Sequence, residues 1–127
     1  MTTSDYARPI RGPSNEPRAA NNTTRTRDLN DRFRRRLLGG MVMMTQGVSN
    51  LDSVRIATLI NQVRRFDAFT PDNDPHGEHD FGAFYEGGDR FFWKIDYYDK
   101  QMEFGSPDTA DPDVTTRVLT LMLAEEY

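Results

Sequence analysis

Apolar residues in the first half of the chain recur at the spacing of a helix. Leu29, Phe33 and Leu37 lie four residues apart, and mostly basic or polar residues fill the positions between them. This pattern predicts a helix over about residues 28–38, ended by the glycine pair that follows it. The same kind of pattern predicts a second helix over about residues 50–66, with an apolar face made of Val54, Ile56, Ala57, Leu59, Ile60, Val63 and Phe66.

The segment 81–104 is aromatic and alternates in the way that strands do. It holds nine of the fourteen aromatic residues, and turns at Gly87-Gly88 and Asp99-Lys100 divide it into three predicted antiparallel strands. These turns pair Phe84 with Phe91, Gly82 with Trp93, Tyr97 with Met102, and Ile95 with Phe104. The predicted core face then consists of Phe84, Phe91, Trp93, Ile95, Tyr97, Met102 and Phe104.

The opposite face of these strands mixes aromatic and charged side chains. It carries Phe81, Ala83, Tyr85, Arg90, Phe92, Lys94, Asp96, Tyr98 and Glu103. Such a face is either covered by a helix or used to bind a partner. For the second case, Phe92, Asp96 and Tyr98 are predicted binding residues.

Two further segments complete the predicted fold. Residues 41–48 predict a short strand, and the C-terminal segment predicts a helix capped by Asp111 with Pro112 at its first position. Its wide apolar surface consists of Val114, Val118, Leu119, Leu121, Met122 and Leu123. Glu125 and Glu126 fall in the last turn, where the dipole disfavours anions, so this acidic tip is a predicted binding site. The sequence predicts an α+β fold, with three helices packed around an antiparallel sheet of three to four strands.

The composition excludes several classes of protein. A chain of 127 residues fits one domain, and the lack of cysteine excludes disulfides and thiolate chemistry. No apolar run approaches the roughly 20 residues that span a bilayer, and the first residues lack the apolar segment of a secretory signal. We therefore expect a cytoplasmic monomer or homodimer without membrane contact.

The net charge of −4 conceals a strong asymmetry along the chain. Residues 1–36 carry nine arginines against four acidic residues, a net charge of +5, and the remainder carries a net charge of −9. Residues 1–26 are poor in large apolar side chains and are predicted to be a disordered basic arm, with residues 27–127 forming the domain. The arm and first helix either contact nucleic acid, or are solvated or lie against the acidic body.

The segment Phe69–Phe81, FTPDNDPHGEHDF, combines both histidines with several carboxylates. Its start resembles a calcium-binding EF-hand loop, but a histidine replaces the fifth-position oxygen donor and an alanine the final glutamate. A zinc-type site would use His76 and His79 with a carboxylate, and acid–base catalysis would pair His79 with Asp80 or Glu78. The remaining interpretation is a rigid connector whose Asp and Asn side chains bond to local backbone amides.

Long segments of the chain resemble one family. LNDRFRR, VMMTQGV, FTPDNDPHGEHDFGAF, FFWKIDYYD and TTRVLTLMLAEEY together resemble domain-of-unknown-function family 3768 over residues 28–127. The family has no established catalytic residues. The resemblance implies a bacterial mobile-element setting, in which anti-restriction and anti-CRISPR inhibitors are frequent.

These observations favour a non-enzymatic interaction protein without a cofactor, an inhibitor of a host defence nuclease complex that covers a basic groove with acidic residues. Its expected partner is a host protein or protein complex. The predicted binding residues are Asp72, Asp74, Glu78, His79, Asp80, Phe92, Asp96, Tyr98, Glu125 and Glu126. The alternatives are a nucleic-acid-binding accessory factor using residues 1–36, and a small metal-dependent enzyme centred on His76 and His79.

Overall fold

The computed structural model describes residues 19–127, which form three helices and a four-stranded sheet. The elements in chain order are α1 (Ala19–Arg36), β1 (Gly40–Met44), α2 (Gln46–Ser49), α3 (Ser53–Arg65), β2 (Phe81–Glu86), β3 (Asp89–Tyr98) and β4 (Thr116–Leu123), followed by a 3-10 turn (Ala124–Glu126). The predicted α+β class is confirmed. Residues 19–26, predicted as part of a disordered arm, are helical instead, and the rest of that prediction lies outside the described residues.

The sheet has the strand order β1-β4-β3-β2. The pairs β2–β3 and β3–β4 are antiparallel, whereas β1 and β4 run parallel. The prediction of an entirely antiparallel sheet is therefore wrong for this one pair. Strands β3 and β4 are central, and β1 and β2 form the two edges of the described sheet.

The apolar core lies on one face of the sheet. Phe33 of α1, Val48 of α2, and Leu59 and Val63 of α3 pack there against strand residues. The strand residues are Phe91, Trp93, Ile95 and Tyr97 of β3, and Leu119 and Leu121 of β4. Removal of these side chains from water is the main favourable term in folding. The predicted core face is thus confirmed for its β3 residues.

The β2–β3 hairpin has the predicted register. Phe84 lies opposite Phe91 and Gly82 opposite Trp93. A Cβ atom at Gly82 would lie 2.2 Å from Nε1 of Trp93, so the indole requires a glycine at this position. The turn glycines have φ angles of 61° and 87°, which suit the tight turns that join twisted antiparallel strands.

The prediction of a third strand in the aromatic segment 81–104 is wrong. After Tyr98 the chain makes a tight turn, in which the Asp99 amide donates to the carbonyl of Phe104 at 2.8 Å. Met102 and Phe104 are 42% and 73% exposed, so neither belongs to the core. The positions opposite Tyr97 and Ile95 are occupied by Arg117 and Leu119 of β4.

The predicted C-terminal helix is also wrong, because this segment contains β4. Leu119 and Leu121 point into the core, while Val118 and Met122 are buried on the other face at 4% and 3% exposure. A strand buried on both faces is apolar at nearly every position, as a deeply buried helix is. The predicted cap, Asp111, instead accepts a hydrogen bond from the Asp113 amide at 2.9 Å in a local turn.

The remaining helices and strands begin or end at residues other than those predicted. Strand β1 stops at Met44, and residues 46–48 at the end of the predicted strand 41–48 belong to the short α2. Helix α3 is capped by Asp52, whose side chain accepts from the Arg55 amide at 2.8 Å. Within residues 19–127, the helices are too short or too polar to cross a membrane.

Candidate functional site

The segment between α3 and β2 is held by its own side chains. Asn73 Oδ1 accepts from the Thr70 amide at 2.8 Å, and Asn73 Nδ2 donates to the carbonyl of Ala68 at 2.9 Å. Asp74 Oδ1 accepts from the His79 amide at 3.1 Å. For Asn73 and Asp74 the predicted connector chemistry is confirmed, whereas Asp72 is exposed on the loop surface.

His79 is the most constrained residue of this segment. Its φ of 54° is unusual for a residue with a side chain, and such backbone strain persists only where the surroundings hold it. The imidazole stacks on Phe69 with ring centroids 3.7 Å apart and an interplanar angle of 4°. Its Nδ1 lies 2.9 Å from Oδ1 of Asp31, and its Nε2 lies 3.7 Å from Oδ2 of Asp74.

His76 and His79 line one shallow surface cavity of about 400 Å³ with Phe69, Thr70, Pro71, Asp74, Pro75 and Gly77. Within residues 19–127, no three His, Asp or Glu side chains are grouped in a way that could hold a metal ion. The ring of His79 instead faces Asp31 of α1. Sequence reasoning missed this partner, which lies 48 positions away.

Glu78 belongs to a polar network inside the domain. It is fully buried, and its Oε1 accepts from the Tyr97 hydroxyl at 2.9 Å. Asn30 Nδ2 donates to the same hydroxyl at 2.7 Å and to the Glu78 carbonyl at 3.0 Å. Arg117 Nε donates to Asn30 Oδ1 at 2.8 Å, and burial lowers the pKa of Arg117. The network joins α1, the connector, β3 and β4.

Arg34 holds the ends of the two long helices together. Its Nη1 donates to the carbonyls of Val63 and Phe66, both at 2.8 Å, and its Nη2 pairs with Asp31 at 3.1 Å. The guanidinium also lies 5.0 Å from the ring centroid of Trp93. Burial is the largest influence on the pKa of Arg34 and lowers it, although Asp31 opposes this shift.

Three other predicted binding residues, Phe92, Asp96 and Tyr98, lie on the second face of the sheet, and Asp80 directly precedes β2. Asp80, Phe92 and Asp96 are only 4%, 3% and 3% exposed. Asp96 pairs with Lys94, and Phe92 packs against Tyr127 with ring centroids 5.5 Å apart. Tyr98 on this face is half-buried.

The acidic tip follows β4 rather than a helix. Glu126 accepts hydrogen bonds from the Thr45 hydroxyl at 2.5 Å, the Gly47 amide at 2.8 Å and the Leu123 amide at 2.9 Å. Desolvation raises the pKa of Glu126, but these three bonds outweigh it and lower the pKa overall. Glu126 therefore fastens the chain end to the start of α2, whereas Glu125 is exposed.

The structure brings together a group of arginines that sequence reasoning did not connect. Arg32, Arg35 and Arg36 of α1 and Arg64 and Arg65 of α3 are exposed near the joined ends of the two helices. We call these five residues the arginine surface. The adjacent Arg34 could not be distinguished from them in sequence, because burial alone separates their roles.

A second exposed feature lies along β1. Leu38, Met41, Met43 and Met44 are 72%, 45%, 49% and 41% exposed, and we call them the methionine edge. They make up four of the eight large hydrophobic residues that are exposed in the described part of the chain. The sequence signal for this feature is the run of methionines, which by itself predicts only a short strand.

The fold and these features define a small α+β domain whose polar connector is tied into its interior. The family model described as "Protein of unknown function (DUF3768)" matches residues 44–126, and the chain belongs to this family. The match leaves out α1, which supplies Asp31 and Arg34 to the connector and to α3. Neither a curated protein nor a solved structure gives a significant match to the chain.

Proposed function

We propose that the protein is a non-enzymatic interaction module that binds another protein along the methionine edge. The observation that carries this proposal is the concentration of exposed large hydrophobics in residues 38–44, at an edge of the described sheet. Exposed apolar side chains gathered at one edge of a protein are typical of an interaction site. Scattered exposed residues such as Val54 and Phe104 need no such explanation.

The chemistry of β1 suits a protein partner. An edge strand presents backbone amides and carbonyls on its outer side, and an extended segment of a partner can add to them as a further strand. Methionine is flexible and polarisable, so it adapts to partner surfaces of different shapes. Both properties favour binding of a polypeptide over binding of a small polar ligand.

The directions of the connector side chains support a non-enzymatic role. Glu78 points into the interior network, His79 stacks on Phe69 beside Asp31, and Asp80 is buried beside β3. A general acid–base pair needs both groups within reach of one reacting atom. The side chains of Glu78, His79 and Asp80 instead lie in different surroundings, as expected for a rigid connector.

The particular partner that we propose is a subunit of a bacterial defence nuclease complex, and the protein would be its inhibitor in the cytoplasm. The mobile-element setting implied by the family resemblance supports this choice. So does the acidic segment after residue 36, with its net charge of −9. Complementary charge speeds association with a basic groove and makes it sensitive to salt.

The first experiment tests the methionine edge. The full chain and its Met41→Glu/Met43→Glu variant are used as bait in extracts of the host. Val54→Glu/Phe104→Glu adds the same charge at residues that are 76% and 73% exposed and serves as the matched control. We expect one protein to be retained by the wild type and control, and its purified form to bind the edge variant at least tenfold more weakly.

Equal affinity of that protein for all three baits would overturn the proposed edge. The nuclease partner is tested separately, by adding the purified protein to the retained complex and measuring cleavage of its nucleic acid. Inhibition that saturates at equal molar amounts is the expected result. A retained protein without nuclease activity would refute the inhibitor role and leave the binding edge intact.

A further inference from the structure

The C-terminal ends of α1 and α3 are fastened to each other by two arginines. Arg34 of α1 donates to the carbonyls of Val63 and Phe66, at the end of α3. In the opposite direction, Arg64 Nε of α3 donates to the carbonyl of Arg35 at 2.8 Å. The last turns of both helices are therefore held at a fixed separation, and so are the backbone positions of the arginine surface.

The arginine surface concentrates positive charge at this junction. The side chains of Arg32, Arg35, Arg36 and Arg65 form no ion pair within residues 19–127. Arg32 is three and four residues from Arg35 and Arg36, a spacing at which like charges on a helix repel each other. Such repulsion disfavours this arrangement in the free protein and is relieved when an anion binds.

Nearby acidic groups neutralise little of this charge. Asp31 is already shared by Arg34 and His79, at 3.1 Å and 2.9 Å. Asp28 and Asp67 are exposed at the borders of the surface, so five arginines face two available carboxylates. Interaction of last-turn arginines with the helix dipoles explains some basic residues here. The interaction with the helix dipoles does not explain all five arginines, because Arg34 already donates hydrogen bonds to carbonyls at the end of α3.

We propose that the arginine surface binds the phosphate backbone of a nucleic acid. Guanidinium groups bind phosphate through paired hydrogen bonds, and a rigid array of them can follow successive phosphates. All five residues are exposed arginines, whose positive charge attracts the phosphates of either strand. Binding is therefore directed to the backbone and independent of base sequence. The inference is separate from the proposed protein partner, because the surface shares no residue with the methionine edge.

The test measures fluorescence anisotropy of a short labelled DNA duplex, and of RNA of the same sequence, with the full chain. The variant Arg36→Gln/Arg65→Gln removes two exposed charges that make no hydrogen bond within the described residues. Arg90→Gln/Lys100→Gln removes the same charge elsewhere on the domain and is the matched control. Because residues 1–18 are identical in all three proteins, their contribution cancels in the comparison.

The arginine variant should bind the preferred nucleic acid about tenfold or more weakly, while the control stays within about twofold of the wild type. A plot of log affinity against log salt should also lose about 1 from its slope for each phosphate contact removed, or about 2 in total. Equal slopes for both variants would refute the proposal. Tighter binding to anionic phospholipid vesicles than to either nucleic acid would also refute it and assign the surface to membranes.

Discussion

Arg34 and Arg35 are neighbours in sequence, but they lie in opposite kinds of environment. The side chain of Arg34 is 1% exposed and meets three carbonyls, a carboxylate and two aromatic rings. The side chain of Arg35 is exposed and forms no ion pair in the described part of the chain. In the same way, the residues of the interior polar network are buried and hydrogen-bonded, whereas those of the arginine surface are exposed. Arginines stabilise the fold where they are buried among acceptors, and are available to a ligand where they are exposed.

The largest effect on stability is expected when the charges of Arg34 and Arg35 are removed one at a time. Arg34→Met should lower the free energy of unfolding by about 3–5 kcal/mol, because it removes the donor to the carbonyls at the end of α3 and one of the two partners of Asp31. Arg35→Met should change it by less than about 0.5 kcal/mol, as surface substitutions do. Urea denaturation measures both values. Similar losses for the two variants would show that the arginine surface also supports the fold.

The interior network can be tested by removing one oxygen atom. Tyr97→Phe deletes the hydroxyl that links Asn30 and Glu78, and both of these groups are fully buried. We expect a loss of about 1–3 kcal/mol, the usual range when a buried polar group loses its partner. Tyr98→Phe, on the half-buried neighbouring residue, should cost clearly less. If the two costs are the same in thermal unfolding, the network does not stabilise the domain.

Glu126 lies between the buried and the exposed charged residues, because its side chain is exposed and still makes three hydrogen bonds within the domain. Folding lowers the pKa of Glu126, so its carboxylate contributes fully to the stability of the fold above the ordinary pKa of 4.5. This contribution to stability is lost as the pH falls through the lower pKa of the folded state. Glu126→Gln should therefore lower the melting temperature slightly at neutral pH and not at strongly acidic pH. Glu125→Gln should have little effect at either pH. A pH-independent effect of Glu126→Gln would contradict this account.

The smallest expected effect concerns the connector. Calcium, zinc and manganese should each leave the melting temperature unchanged, because His79 is positioned by Asp31 and Phe69. An ion that bound only the folded state would raise the melting temperature. A rise of several degrees that is abolished by His79→Ala would move the protein towards the metal-dependent alternative.

Much of the local structure could be predicted from the sequence. The β2–β3 hairpin followed from alternating side chains and the glycine turn, and the pairing of Gly82 with Trp93 followed from that register. The core side of α3 followed in part from its apolar spacing, since Leu59 and Val63 are buried, whereas Val54 and Ala57 of the predicted face are exposed. In the connector, the use of Asn73 and Asp74 followed from turn chemistry. Each of these predictions depends on residues that are close together in the chain.

The errors arose where distant segments meet. The C-terminal segment is β4, and its pattern did not separate a strand buried on both faces from a buried helix. Only pairing with β1 on one side and β3 on the other decides between them. Likewise, Asp31 reaches His79 because α1 packs against the connector, and Arg64 reaches Arg35 because α1 packs against α3. The sequence by itself determined the turn hydrogen bonds of the connector and the register of the β2–β3 hairpin. The tertiary structure decided which charges are buried with partners and which remain exposed, because burial depends on what packs against each side chain.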